Sequence, residues 1–248
     1  MIGTNTEKNF DIENYEEFYE HHHFQPMSED EAFRVNEIIP RFGWAFDEVE
    51  ELKPKNLLDL GCLDGSFALS VGSQLGVNVI GVDLTKDGIE IANQRAKEYA
   101  AKKHEVFRAN FFQGTIEDWL TKYARGLEMK EKSGGKLAGT YEKFDVVTCF
   151  EVIEHVKDVP LLLSLIDKVL APGGTVLIST PAFESPVFGK DDEQNKCHIR
   201  LYTMEDEDRE EENKYGHVRK ATSITKEIGK DRIKDIGVFN HLINVRYQ

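Results

Sequence analysis

Two glutamates and a histidine that could bind a metal ion lie within five residues, at Glu151, Glu154 and His155. If this segment forms a helical turn, the spacing i, i+3, i+4 places both carboxylates and the imidazole on one face. Such a set predicts a site for Mg²⁺, Mn²⁺ or Zn²⁺, with His198 as a fourth ligand and Glu184 as a weaker candidate. A bound ion would acidify a substrate hydroxyl at neutral pH. In the alternative interpretation the segment caps a helix, and His155 acts alone as a general base or takes no part in chemistry.

A glycine turn that could hold a nucleotide follows the apolar run LLDL and extends from Gly61 to Gly65. Such a turn lets the backbone approach a ligand at a helix N-terminus. Its spacing is Gly-x-x-x-Gly and not the GxGxxG that cradles a dinucleotide pyrophosphate, so NAD is disfavoured. About 20 residues later NVIGVD ends in Asp83, where a carboxylate can accept both hydroxyl hydrogens of a ribose. Either feature alone is often structural, but together they predict a site for a ligand with a hydroxylated ribose.

Elements that could position these residues begin at Asn56, where short apolar runs start to alternate with helical patterns. This alternation is the signature of βαβ units and a parallel sheet. Five strands are predicted, the last two being FDVVTCF and TVLIST, with a helix between them from about Pro160 to Leu170 that is capped by Asp158. The closing IGVFNHLINVRYQ predicts a last strand or hairpin.

The sequence around this core divides into a cover and two surface segments. Residues 1–52 predict short helices that cover the main domain at 53–248 and do not fold independently. A flexible insertion is expected near 126–143, and the acidic run at 205–214 is expected to be a solvated helical face or loop. Within the cover, the triplet His21 to His23 is interpreted as surface, and the hypothetical lid aromatics are Tyr15, Tyr19 and Phe24.

The motifs of the core resemble those of the class I S-adenosylmethionine-dependent methyltransferases over roughly residues 54–182. LLDLGCLDG matches their first motif and VIGVDLT the second; QGTIEDW, FDVVTCFEVIEHV and LAPGGTVLISTP match the regions that follow. The resemblance implies an α/β fold with a Rossmann-like, doubly wound, mostly parallel seven-stranded sheet and helices on both faces. It also implies S-adenosylmethionine as the cofactor.

The resemblance further implies which residues contact the cofactor. These are Asp59, Gly61, Cys62 and Gly65 at the methionine and ribose end, Asp83 and Leu84 at the ribose, Glu117 or Asp118 at the adenine, and Phe150 beneath the methionine. Leu63 departs from the pattern, because the family usually has glycine there, and this narrows the conformational freedom of the turn.

Two subfamilies of this class carry a similar ExxEH segment. One contains the ubiquinone-pathway O-methyltransferases, and the other contains the small-RNA methyltransferases that modify a terminal ribose 2′-hydroxyl. In both, the matching residues Glu151, Glu154 and His155 would hold a divalent ion, and in the RNA enzymes a further histidine is placed comparably to His198. The segment HIRLYT also resembles methyltransferases that modify sugars and other secondary metabolites.

Composition and missing motifs restrict the acceptor. The formal net charge of −14 provides no global basic surface for a polyanion, so nucleic acid is less favoured as a partner. No Asp/Asn-Pro-Pro-aromatic tetrapeptide for base amino groups and no Pro-Cys pair for pyrimidine carbon-5 is present. A hydroxyl acceptor is the remaining choice.

Cysteine spacing and hydropathy indicate the cellular setting. Cys62, Cys149 and Cys197 lack any CxxC spacing, and no stretch approaches the roughly 18 apolar residues of a membrane span. A soluble, cytoplasmic protein is expected, and its oligomeric state is left open.

The resulting prediction is an O-methyltransferase that acts on a hydroxyl of a small molecule or sugar, assisted by a divalent metal or by His155 as base. The first alternative is a ribose 2′-O-methyltransferase acting on RNA. The second is a non-catalytic S-adenosylmethionine-binding regulator, which the three clustered ionisable residues argue against.

Overall fold

The computed structural model describes residues 26–103, 107–134, 141–185, 189–190, 198–239 and 242–248. The hypothetical lid aromatics Tyr15, Tyr19 and Phe24, the triplet His21 to His23 and Cys197 lie outside these residues. The strands within these ranges are β1 (Asn56–Leu60), β2 (Asn78–Asp83), β3 (Ala109–Gln113), β4 (Phe144–Phe150), β5 (Leu170–Pro181), β6 (Leu201–Thr203), β7 (Arg209–Glu212), β8 (Val218–Ser223), β9 (Ile233–Phe239) and β10 (Leu242–Tyr247).

The helices alternate with the first strands, as the apolar runs predicted. They are α1 (Glu29–Ala32), α2 (Val35–Ile38), α3 (Pro40–Leu52), α4 (Ser66–Leu75), α5 (Lys86–Lys103), α6 (Ile116–Lys132), α7 (Val159–Val169) and α8 (Ile224–Ile228), with 3-10 turns at Ile153–His155 and Lys230–Arg232. Asp158 caps α7 as predicted, since its side chain accepts the Leu161 amide at 2.9 Å. Among the described helices, none combines the length and the apolar character needed to cross a membrane.

A seven-stranded sheet in the order β3-β2-β1-β4-β5-β10-β9 forms the centre of the molecule. The first five strands are parallel, and β10 runs antiparallel to both of its neighbours. The predicted mostly parallel sheet and closing hairpin are therefore confirmed. Because all five parallel strands point the same way, the carboxyl ends of β1, β2, β4 and β5 meet at one edge, where ligands bind in open α/β sheets.

The sheet is buried on both faces, which explains the nearly continuous apolar runs of β1 and β4. On one face, buried side chains of α6 and α7, including Leu162 and Ile166, form one core cluster. On the other, side chains of α4 and α5 pack with Phe46 and Val49 of α3. The cover thus contributes directly to the second core.

The described part of the cover contains two one-turn helices, α1 and α2, in agreement with the short helices predicted for it. Phe33 and Arg34 interrupt them, and Ser28 forms a capping box with Glu31 at the start of α1. α3 then begins at Pro40, where the missing N–H costs nothing because the first helical amides have no intrahelical partner.

The expectation of a flexible insertion was wrong for residues 126–132, which are the last two turns of α6. Leu120, Tyr123 and Leu127 recur at helical spacing and are buried, and a Cβ placed on Gly126 would overlap the Tyr141 ring. This apolar periodicity continues the helix, although glycine and lysine are the most frequent residues of the predicted insertion at 126–143.

A small three-stranded sheet in the order β6-β8-β7 lies between β5 and β9 in the chain. The acidic run was expected to be a helical face or loop, but residues 209–212 form β7, which pairs antiparallel with β8. Lys220 of β8 lies opposite Glu210, with 3.1 Å between Nζ and Oε2. β8 supplies basic cross-strand partners for the acidic residues of β7. These partners cannot be recognised from the sequence of the acidic run alone.

Candidate active site

The turn between β1 and α4 contains three residues with positive φ, namely Gly61 at 77°, Leu63 at 49° and Gly65 at 72°. Left-handed backbone suits glycine and costs other residues roughly 1–2 kcal/mol. Leu63 therefore adopts the conformation that glycine usually supplies at this position. The amides of Gly61 and Cys62 donate to the carbonyl of Val82 at 2.8 and 3.2 Å, which holds the turn against the end of β2.

Asp83, at the end of β2, stabilises this turn through both carboxylate oxygens. Oδ2 accepts the Leu63 amide at 2.9 Å, and Oδ1 accepts the amide and hydroxyl of Thr85 at 2.8 and 2.7 Å. The bond to Leu63 helps to offset its backbone strain. Because an ionised carboxylate has about four acceptor positions, half-buried Asp83 retains capacity for a ribose hydroxyl.

Asp59 is buried in β1, behind the turn. Thr148 of the neighbouring strand donates its hydroxyl to Oδ1 at 2.7 Å. Burial raises the pKa of Asp59 to about 7, with a further increase from the charge of Asp83. Asp59 is only 3% exposed, and its contact with the cofactor stays a prediction.

The other predicted cofactor residues lie on or beside the same edge of the sheet. Burial raises the pKa of the Cys62 thiol, and the Leu84 carbonyl accepts the side chain of Gln113 at 3.3 Å. Glu117 is half-buried and Asp118 exposed, both in the first turn of α6. Their assignment to the adenine stays a prediction.

Phe150, at the end of β4, belongs to an aromatic cluster that includes the cover. Its ring centroid lies 5.3 Å from that of Phe67 and 5.8 Å from that of Phe42 on α3. The Arg41 guanidinium lies over Phe42, 4.6 Å from the ring centroid, and lowers the pKa values of Glu151 and Glu154 against the effect of burial.

Arg41 was not among the residues predicted from the sequence. Its Nε is buried and has no hydrogen-bond partner among the described residues. A signal did exist, because this arginine follows Pro40 at the start of a helix and precedes an aromatic residue. The sequence alone could not show that the cover places the Arg41 guanidinium near Glu151 and Glu154.

The cofactor turn and the ExxEH segment touch directly. A Cβ placed on Gly61 would overlap Cγ2 of Val152, so only glycine fits at this position without a shift. The predicted cofactor site and the predicted reacting groups are therefore adjacent at the carboxyl ends of β1 and β4.

Glu151 lies outside the helical turn that contains the other two ionisable residues. It adopts a left-handed conformation with φ of 54°, and the helical turn that follows is a 3-10 turn that starts only at Ile153. Its amide donates to the Ser179 carbonyl at 2.9 Å, and its Oε1 accepts the Ser179 hydroxyl at 2.7 Å. Burial raises its pKa. The helical turn on which the predicted i, i+3, i+4 face depended therefore does not include Glu151, and its part in a metal site stays a prediction.

Glu154, His155 and His198 do come together. One potential ligand atom of each lies within 4.8 Å of the others, and the two imidazole centroids are 4.9 Å apart. Among the described residues Glu151 is not part of this group. The Ile199 amide donates to the Glu154 carbonyl at 3.0 Å, which joins the segment after β5 to the ExxEH segment.

The Glu154 carboxylate is 1% exposed, and its two oxygens have different surroundings. Oε2 accepts the Thr180 hydroxyl at 3.0 Å, whereas Oε1 has no hydrogen-bond partner among the described residues and lies 3.8 Å from His155 Nε2. Burial, together with the charge of Glu151, raises the pKa of Glu154 well above its usual range. A nearby cation would offset that rise.

Glu184, the weaker ligand candidate, pairs with Arg209 and lies outside the group. The hydroxyls of Ser179 and Thr180, which hold the two glutamates, were also missed. Their signal was the polar end of the strand in TVLISTP.

A parallel sheet with a closing antiparallel hairpin, a glycine turn after β1 and an aspartate at the end of β2 is the architecture of the Rossmann-like methyltransferases. The model of a family described as "Methyltransferase domain" matches residues 19–226. Because that match covers most of the chain, the chain belongs to this family.

Similar proteins agree with this assignment. The chain is 29% identical over 157 residues to a protein of Vibrio atlanticus named ubiquinone biosynthesis O-methyltransferase, covering 63% of this chain and 53% of the relative. It is 32% identical over 140 residues to a protein of the same name from Haemophilus ducreyi, covering 56% and 51%. The chain thus spans about half the length of the curated relatives it matches.

One solved structure supports the fold. The crystal structure of an S-adenosylmethionine-dependent methyltransferase from Clostridium acetobutylicum is similar with a TM-score of 0.50 and 14% identity, covering 84% of this chain and 89% of that one. The predicted class I S-adenosylmethionine-dependent methyltransferase is confirmed at the level of family and fold.

Proposed function

We propose that this chain transfers the sulfonium methyl group of S-adenosylmethionine to a hydroxyl group of a small molecule or sugar. The observation that carries the proposal is the convergence of Glu154, His155 and His198 at the edge of the sheet where the glycine turn contacts Val152. A proton acceptor and a cofactor loop at one edge are what O-methylation requires. The names of the relatives support a hydroxyl acceptor.

The cofactor would lie along the ends of β1 and β2. Asp83 would accept the ribose hydroxyls, and the Phe150 ring would pack beneath the methionine portion. Arg41 would provide a cation for the methionine carboxylate, because its buried Nε is a donor with no partner among the described residues. Glu117 or Asp118 would flank the adenine.

The reaction itself requires little of the protein, because a sulfonium methyl is already a good electrophile. The acceptor oxygen forms a bond to the methyl carbon as the carbon–sulfur bond breaks, which leaves S-adenosylhomocysteine. The acceptor's proton passes to His155. Glu154, with Oε1 3.8 Å from His155 Nε2, would stabilise the resulting imidazolium.

A divalent ion fits the same group of residues. Glu154 Oε1 is buried without a hydrogen-bond partner among the described residues, and two imidazoles lie beside it. In this alternative, Glu154, His155 and His198 would hold the ion, and His155 would be a ligand and not the proton acceptor. One carboxylate with two imidazoles favours Zn²⁺ or Mn²⁺ over Mg²⁺. Such an ion would lower the pKa of a hydroxyl bound to it.

An RNA ribose is the second candidate acceptor, favoured by one observation. His198 joins Glu154 and His155 as the resemblance to the small-RNA enzymes implies. The net charge of −14 argues against an RNA acceptor. Arg200, close to His198 in the sequence, also pairs with Glu227 at 3.8 Å, which offsets a positive charge that could bind a phosphate.

The test is transfer of labelled methyl from S-adenosylmethionine into a cell extract that is then separated into RNA, protein, glycan and small molecules. Each reaction is run with and without a chelator, and with His155→Ala as the matched inactive variant. Label in the small-molecule or glycan fraction that depends on His155 supports the proposal. Label only in RNA replaces it with the second candidate, and label in protein overturns both. Loss of label with the chelator, restored by Zn²⁺ or Mn²⁺, supports the metal.

A further inference from the structure

A buried ion pair joins the cofactor turn to α5. Arg95 Nη1 lies 2.8 Å from Asp64 Oδ2, and both side chains are only 7% exposed. The same nitrogen donates to the Asp64 carbonyl at 3.1 Å, while Asp64 Oδ1 accepts the Ser66 hydroxyl at 2.6 Å. The Asp64 carboxylate, next to Gly65 in the glycine turn, is therefore held on both oxygens.

The other end of the same guanidinium reaches the cover. Arg95 Nη2 donates to the carbonyl of Met27, just before the capping residue of α1. One planar side chain thus bonds to the cofactor turn and the cover from a position on α5. Lysine, with a single nitrogen, could not reach both sets of acceptors in this way.

Stability alone does not account for such a pair. Burying two charges costs desolvation that their attraction only partly returns, so an apolar pair of similar volume is often as stable. The pair does specify one geometry for a turn that contains three residues with positive φ, including the strained Leu63. The position of the turn amides depends on that geometry.

We propose that Arg95 is a positioning residue that fixes the cofactor turn and couples it to the N-terminal cover, so that S-adenosylmethionine binding orders both. The role of Arg95 rests on the proposed function only in taking S-adenosylmethionine as the ligand. The consequence is that substituting Arg95 weakens cofactor binding although Arg95 lies on a different element from the predicted contacts.

The chain offers a matched control on the same helix. Lys102 of α5 pairs with Glu29 of the cover at 2.7 Å, but these side chains are 58% and 41% exposed. An exposed pair contributes little. Lys102→Met therefore removes a link between α5 and the cover without touching the cofactor turn.

The experiment measures S-adenosylhomocysteine binding by calorimetry for the full chain and for Arg95→Lys, Arg95→Met and Lys102→Met. Arg95→Met is expected to raise the Kd about tenfold and Arg95→Lys about threefold, with Lys102→Met within twofold of the parent. At saturating S-adenosylmethionine, Arg95→Lys should transfer methyl groups at a rate within about twofold of the parent. The rate is measured in the extract fraction that the parent labels. A Kd unchanged in folded Arg95 variants, or raised equally by Lys102→Met, overturns the proposal.

Hydrogen exchange on the unaltered chain keeps the test independent of how the variants fold. On titration with S-adenosylhomocysteine, amides of the turn at 61–66 and of Met27 and Ser28 should gain protection with the same midpoint. Protection of the turn alone overturns the coupling. Binding of S-adenosylhomocysteine without methyl transfer to any fraction would contradict the proposed function while leaving the role of Arg95 open to the same measurements.

Discussion

The two halves of the candidate site are built differently. The proposed ribose-binding part of the site lies within two short segments, the turn at 61–65 and the end of β2 at Asp83, and its hydrogen bonds join residues about 20 positions apart. The reacting half draws Glu154 and His155 from one segment and His198 from beyond β5, with Arg41 reaching it from the cover. The residues proposed for the ribose are thus close in sequence, whereas the proposed reacting groups depend on how distant segments pack. Four substitutions test this difference.

The largest effect is expected for His155→Ala, which should abolish methyl transfer but leave cofactor binding intact. Loss of the proton acceptor should lower methyl transfer about a thousandfold, equivalent to about 4 kcal/mol. The Kd for S-adenosylhomocysteine should stay within twofold, because His155 is not part of the turn. His217→Ala, in the turn between β7 and β8, is the control and should retain activity. A His155→Ala enzyme with parental turnover would remove this residue from the mechanism.

Asp59→Asn tests how the buried carboxyl group behind the cofactor turn affects the pH dependence of stability. Because the folded-state pKa of Asp59 is raised to about 7 from 3.8, its protonated form stabilises the fold fully below about pH 4, and this stability is lost as pH rises through 7. Asparagine does not titrate and can still accept the Thr148 hydroxyl. The free energy of unfolding of the variant relative to the parent should therefore grow by about 3 kcal/mol from pH 5 to pH 8. Denaturant titrations at both pH values measure this, and a pH-independent difference would contradict it.

Gly61→Ala tests the point where the halves touch. A methyl group there would overlap Val152 and force a non-glycine residue to φ of 77°, with an expected loss of about 2 kcal/mol in stability. Adding Val152→Ala should recover part of the loss by removing the overlap but not the strain. Thermal unfolding of both single variants and the double variant measures the coupling, and strictly additive effects would show that the two segments are independent.

The smallest effect is expected for Asp83→Asn, which removes a charged acceptor from the proposed ribose-binding part of the site. The Kd for S-adenosylhomocysteine should rise about tenfold, since a hydrogen bond to a charged group contributes about 1.5–3 kcal/mol and part of it is retained. Asp87→Asn, exposed in the first turn of α5, should have no effect. Calorimetry compares the two, and equal affinities for all three proteins would remove Asp83 from the cofactor site.

The sequence predicted the parallel sheet, the capped helix after Asp158 and the closing hairpin, because each depends on local periodicity and capping. It also located Glu154, His155 and His198 in advance. It did not show that Glu151 lies outside the helical turn, because a left-handed residue at the strand end cannot be recognised from spacing, and it failed at residues 126–132, where composition obscured helical periodicity. β7 was missed because its pairing with β8 is a property of two segments.

The sequence alone was enough to predict the family and the order of strands and helices in the central sheet, since their motifs are contiguous and their periods short. The cofactor residues that it indicated stay a prediction. Which ionisable groups meet depends on the tertiary structure. Arg41, Arg95 and His198 lie far along the chain from the groups they approach, and packing of the cover and of the segment after β5 brings them there. Burial then changes the chemistry, as the raised pKa values of Asp59 and Glu154 show, because removal of a carboxylate from water depends on everything packed around it.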